Sequence, residues 1–140
     1  MAKATHLLDT SVLARMAKPQ VAERVAPLIV GGLAATCPVT DLELLFSARS
    51  GREHRTARAD LALRFEHVLI VQSTFDRAIE VQGLLADRGE HRAASIPDLL
   101  VAAAAEAAML TVLHYDADFE LIATAMRLQT EWVVPRGTVD

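Results

Sequence analysis

Four segments of the sequence each bring a carboxylate to a point where its character changes: Asp9 in LLDTS, Glu43 in TDLELL, Asp98 in SIPDLLVAAAAE, and Asp116 with Asp118 in HYDADF. Asp9 and Asp116 follow short apolar runs, whereas Glu43 and Asp98 lie near the start of segments with helical period. Should these acids converge, electrostatics narrows the chemistry. Two carboxylates about 4 Å apart repel by about 4 kcal/mol at an effective dielectric of about 20. A cluster of this kind must hold protons or bind cations. Oxygen donors without a cysteine cluster or a histidine pair select Mg²⁺ or Mn²⁺ over zinc. One or two such ions lower the pKa of a bound water and clamp a phosphate, which is the chemistry of metal-dependent phosphodiester hydrolysis.

Each acid also has a plainer role open to it. TDLE and SIPD match the capping-box pattern, in which Glu43 or Asp98 only satisfies backbone N–H groups at a helix start. Asp9, followed by Thr10 and Ser11, can cap a short helix, and Asp118 can cap one beginning at Phe119. His114, behind the run TVL, is expected to pack against the end of a strand, with a general-base role as the lesser alternative.

The elements that must position these groups follow from the hydrophobic pattern. Short apolar runs at 6–9, 31–39, 67–71, 110–115 and 130–134 alternate with segments of helical period at 11–17, 21–30, 40–49, 52–66, 74–89, 97–109 and 118–128. That alternation predicts an α/β domain with a central, mostly parallel sheet of about five strands. In such sheets ligands gather at the carboxyl ends of the strands, where Asp9 and Asp116 would both point. With 140 residues, no linker and no repeat, residues 1–140 are expected to form a single domain.

Composition removes several alternatives. No apolar run approaches the roughly 20 residues of a membrane span, and Cys37 is the only cysteine, so an internal disulfide is excluded and a cytoplasmic location is expected. The hydrophobic fraction of 52% exceeds what one small core hides, which points to an interface with another chain. The net charge of −4 argues against general nucleic-acid affinity, but arginine dominates the cations and suits phosphate. Arg49, Arg52, Arg55 and Arg58 recur every third residue. The ordinary reading is a wet helix face; the functional one is that Arg52 and Arg55 guide a phosphate backbone. Lys3 and Lys18 are the only lysines, which removes both a P-loop and a phospho-receiver needing a lysine at a late strand end.

HLLDTSVLAR, the acid in the third helical segment, HRAASIPDLLVAAAAE and TVLHYDADFELIA occur in an order and spacing that resemble the PIN domain, and within it the VapC-type toxin ribonucleases. The resemblance implies a three-layer α/β/α fold and a Mg²⁺- or Mn²⁺-dependent endoribonuclease acting on structured RNA such as tRNA or rRNA. It also implies a homodimer and a cognate antitoxin. Asp9, Glu43, Asp98 and Asp116 match the family's catalytic acids, with Asp9, Asp98, Asp116 and Asp118 as metal ligands and Asp116 preferred over Asp118 as the direct one. Thr10, Ser11 and Arg92 match positions that brace the acids or meet substrate. Relatives often carry threonine or serine where this chain has His114 and Tyr115. The alternative function is an RNA-binding PIN-like module that acts by occupancy with little or no cleavage.

Overall fold

The computed structural model describes residues 3–140. Five strands, β1 (His6–Leu8), β2 (Ala34–Thr36), β3 (Glu66–His67), β4 (Thr111–His114) and β5 (Thr130–Trp132), form one sheet of order β3-β2-β1-β4-β5. Every pairing in it is parallel. The helices are α1 (Thr10–Leu13), α2 (Pro19–Val30), α3 (Pro38–Phe46), α4 (Gly51–Arg64), α5 (Gln72–Ala86), α6 (Ile96–Ala108) and α7 (Asp118–Ala123). Among the described residues no helix is long and apolar enough to cross a membrane.

The three layers follow from the two-residue period of the strands, which sends neighbouring side chains to opposite faces. Leu7, Ala35 and Val112 join one core with α5, α6 and Phe119 and Ile122 of α7. Leu8, Ala34 and Leu113 join the other with Val12, Val21 and Val25 of α1 and α2 and with Leu61 of α4. The alanine run of α6 explains itself here: Ala102–Ala105 are all buried, and side chains this small let the helix lie close against both α5 and the sheet. Burying a leucine such as Leu7 or Leu85 contributes about 1.5–3 kcal/mol, so these two faces hold the sheet between the helical layers. Pro27 is accommodated within α2 because it lies on the exposed side, where its missing N–H costs least.

The element pattern expected from the sequence is present, with shorter strands. Of the run at 67–71 only His67 pairs, following Glu66, which opens β3. Its partner β2 ends at Thr36 and turns into α3 at Pro38, so apart from one bond from Val68 N–H to the Thr36 carbonyl the ladder has no template to continue on. Val68 and Ile70 still pack on the core, while Leu69 and Val71 stand exposed. The first helix also stops early, at Leu13, and the last at Ala123. Leu42 and Phe46 do not reach the core: both are largely exposed, and the residue α3 buries is Thr40. Trp132 is half-buried at the sheet edge against His114 and Tyr115.

Candidate functional site

β1 and β4 are adjacent, and from that pair the chain runs to β2 on one side and to β5 on the other. This is the topological switch point of the sheet, where the strand ends leave a crevice. β1 delivers Asp9 there, β4 delivers Asp116 and Asp118 two and four residues past its end, and the first turn of α6 delivers Asp98.

Carboxylate oxygens of Asp98, Asp116 and Asp118 lie within 4.8 Å of one another. Asp98 is the buried member, 7% exposed. Burial, then the charges of Asp9 and Asp116, then a hydrogen bond with the Asp118 side chain push its pKa up to about 9. A proton on Asp98 is therefore the cluster's own way of relieving repulsion at neutral pH. Asp9 stands outside the 4.8 Å group, although its charge raises Asp98. It caps α1: Oδ2 accepts from Ser11 N–H at 3.0 Å and from Ser11 Oγ at 2.6 Å. Its other oxygen, Oδ1, is buried without a hydrogen-bond partner. Burial is the main cause of the raised Asp9 pKa, and Glu43 adds to it. Glu43 itself is exposed on α3 and accepts from Thr10 Oγ1 at 2.9 Å.

The plainer roles can now be compared with the bonds made. SIPD does cap α6, since Asp98 N–H donates to Ser95 Oγ at 3.2 Å. The reciprocal half is absent: Ser95 N–H goes instead to Asp118 Oδ2 at 3.2 Å, leaving the Asp98 carboxyl to face the other acids. TDLE is not a capping box, because α3 begins three residues before Asp41 and its cap position is Cys37. Asp118 does not cap α7 with its side chain; the N–H of Asp118 is taken by Asp116 Oδ1 at 2.9 Å.

The flanking residues brace this arrangement. Tyr115 N–H donates to Ser11 Oγ at 2.9 Å, so one hydroxyl links the end of β4 to Asp9. His114 is fully buried, with its Nδ1 accepting Asp116 N–H at 3.2 Å and its Nε2 unpartnered. Burial lowers its pKa to about 4, outweighing the nearby Asp116 and Glu120 charges. A neutral ring with its one lone pair already occupied is not a general base. Sequence reading missed Ser95, His114 Nδ1 and the Tyr115 N–H as parts of the site; of these only Ser95 carried a signal, the serine that opens SIPD. Arg92, Arg52 and Arg55 are exposed and make no ion pair among the described residues.

Residues 6–125 match the family model of the PIN domain. The chain belongs to the PIN-domain family. Within it the relatives are VapC proteins: Ribonuclease VapC21 of Mycobacterium tuberculosis is 45% identical over 133 residues, 95% of this chain and 96% of that one. Ribonuclease VapC51 of the same species is 44% identical over 135 residues, 96% and 97% of the two chains. The fold of this PIN domain is also that of a DNA-bound VapBC from Salmonella typhimurium, with a TM-score of 0.74 at 17% identity over 94% of this chain and 99% of that one. VapBC2 from Rickettsia felis, bound to a promoter fragment, gives 0.73 at 16% over 91% and 98%.

The donor set of this PIN domain suits a hard divalent cation. Three clustered carboxylates, one of them kept protonated chiefly by burial, and a buried oxygen of Asp9 without a hydrogen-bond partner are oxygen-only donors.

Proposed function

We propose that residues 1–140 form one PIN-like domain working as a Mg²⁺- or Mn²⁺-dependent endoribonuclease, the toxin half of a type II toxin–antitoxin pair acting on structured RNA, tRNA or rRNA, in the cytoplasm. The observation that carries this reading is the gathering of Asp98, Asp116 and Asp118 within 4.8 Å at the sheet's switch point, beside the buried Asp9. The VapC relatives, named ribonucleases, support the reaction class. A divalent cation held there would supply Lewis-acid charge for activating water and stabilising the leaving 3′ oxygen, so 5′-phosphate and 3′-hydroxyl ends are expected. Asp9, Asp98, Asp116 and Asp118 would hold it. Glu43, which accepts from Thr10, would orient a water, and Ser11, which donates to Asp9, would keep that carboxylate aimed into the crevice. Arg92, Arg52 and Arg55 are free to meet phosphates along the approach to the site.

Two exposed apolar areas fit the partners this reading requires. On α5 and α6, Phe75, Ile79 and Ile96 stand exposed around a groove floored by Leu99 and Leu100, without a charge among them, which suits a second copy of the chain. On α3, Leu42 and Phe46 stand exposed, and Leu42 and Leu45 border a cavity of about 500 Å³ closed by α4. An amphipathic antitoxin segment fits there, as the Salmonella neighbour and another from Klebsiella pneumoniae, a toxin–antitoxin complex, would lead one to expect.

The deciding experiment is RNA cleavage with Mg²⁺, Mn²⁺ and a chelator, wild type beside Asp98→Asn. Cleavage that needs the cation and is lost in the variant supports the enzyme. Growth inhibition that survives Asp98→Asn would favour an RNA-binding module acting by occupancy.

A further inference from the structure

We propose that His114 is a positioning residue, setting the spacing of the clustered carboxylates through a relay of backbone N–H groups. The inference rests on the divalent-cation reading of that cluster. The relay is continuous. His114 Nδ1 accepts Asp116 N–H at 3.2 Å, Asp116 Oδ1 accepts Asp118 N–H at 2.9 Å, Asp118 Oδ2 accepts Ser95 N–H at 3.2 Å, and Ser95 Oγ accepts Asp98 N–H at 3.2 Å. One run of four bonds thus joins the last residue of β4 to all three acids and to the first turn of α6.

The anchored end of the relay is rigid. His114 is fully buried, its ring centroid 5.1 Å from that of Phe119 and 4.9 Å from that of Trp132. Because Nδ1 accepts, the ring proton sits on Nε2, which is buried without an acceptor. An unpaired buried donor costs stability that an apolar side chain of similar size would not. Packing alone therefore disfavours histidine at this position. What histidine supplies and an apolar residue cannot is the acceptor for Asp116 N–H. Without it, that N–H must find another partner, and the nearest flexible acceptors are the carboxylates themselves. A carboxylate oxygen turned to cap its own loop is no longer a ligand, so the loss reaches the cluster although His114 need not touch the cation.

Asparagine and leucine separate this role from packing, because both branch at Cγ and leave the same cavity. Asparagine places Oδ1 the same number of bonds from the backbone as Nδ1; leucine has no acceptor. The measurements are Mn²⁺ binding to the RNA-free protein by calorimetry, unfolding without metal, and RNA cleavage against Mn²⁺ concentration. His114→Leu is expected to weaken Mn²⁺ binding by about 10- to 100-fold, the range for losing a residue that orients a metal ligand. His114→Asn should recover most of that, and the cleavage defect of the leucine variant should lie in the half-saturating Mn²⁺ rather than in the rate at saturation. Equal weakening in both variants, or Mn²⁺ binding unchanged in the leucine variant, would overturn the proposal while leaving the cation reading intact. Absence of Mn²⁺ binding in the wild type would instead remove the cation reading and this inference with it. If the leucine variant does not fold, His114→Gln replaces it, since its acceptor lies one bond too far; the same order is expected, and equality with asparagine is again the refuting result.

Discussion

Asp98→Asn should stabilise the metal-free protein while abolishing its activity, and the gain should depend on pH. In the folded chain the Asp98 carboxyl titrates at about 9, against 3.8 as the ordinary value. Between those values the folded protein holds one proton that the unfolded chain has released, so stability falls as pH rises, by about 1.4 kcal/mol per unit for one proton. The sign is that of a raised acid: no penalty below about pH 4, and the full penalty reached near pH 9. Water entry and relaxation within the cluster hold the cost at pH 8 to about 1–3 kcal/mol. Asparagine keeps the shape and removes the titration. Urea unfolding in EDTA at several values between pH 4.5 and 8.5 should therefore show the variant equal to wild type at the acid end and more stable by about 1–3 kcal/mol at pH 8. Added Mn²⁺ should reverse the order, since binding at 1,000 times the dissociation constant stabilises wild type by about 4.1 kcal/mol. A variant that is less stable than wild type at pH 8 in EDTA, or whose stability difference does not change with pH, would refute the electrostatic account of the cluster.

Three further expectations concern other parts of the molecule. Changing both Arg52 and Arg55 to alanine should lower the slope of log affinity against log salt by about 1.4 on single-stranded RNA, two contacts at about 0.7 each, as measured by fluorescence anisotropy. Glu106 accepts from Arg77 Nε at 2.7 Å and Nη2 at 3.2 Å and from Arg127 N–H at 2.9 Å, and the Arg77 hydrogen bonds hold its pKa low. Glu106→Gln should cost about 1–3 kcal/mol at pH 7, with the difference vanishing as pH falls through that lowered value and cleavage at 25 °C unchanged. Ile79→Glu, at the centre of the exposed α5 face, should convert a dimer to monomer in sedimentation without altering the melting of the monomer.

The kinds of element and their order follow from local pattern alone. The short apolar runs in HLL and TVLH and the three-to-four-residue period around Ala78, Val81 and Leu85 are local properties, set by which side chains must leave water. The sequence also named the acids, because each lies beside a turn or helix start that can be read without knowing what it faces. Tertiary structure decided how far each element extends and what each polar atom is bonded to. The run at 67–71 has strand-like residues throughout, yet only His67 of it pairs because β2 turns away at Pro38. Asp98 looks like a capping residue in SIPD until Ser95 N–H is seen to go to Asp118, twenty-three residues away. His114 looks like a core filler until its Nδ1 is seen to hold Asp116 N–H. Periodicity reports burial, which acts on each residue separately; hydrogen bonds and carboxylate repulsion depend on pairs brought together only when the strands close into the sheet.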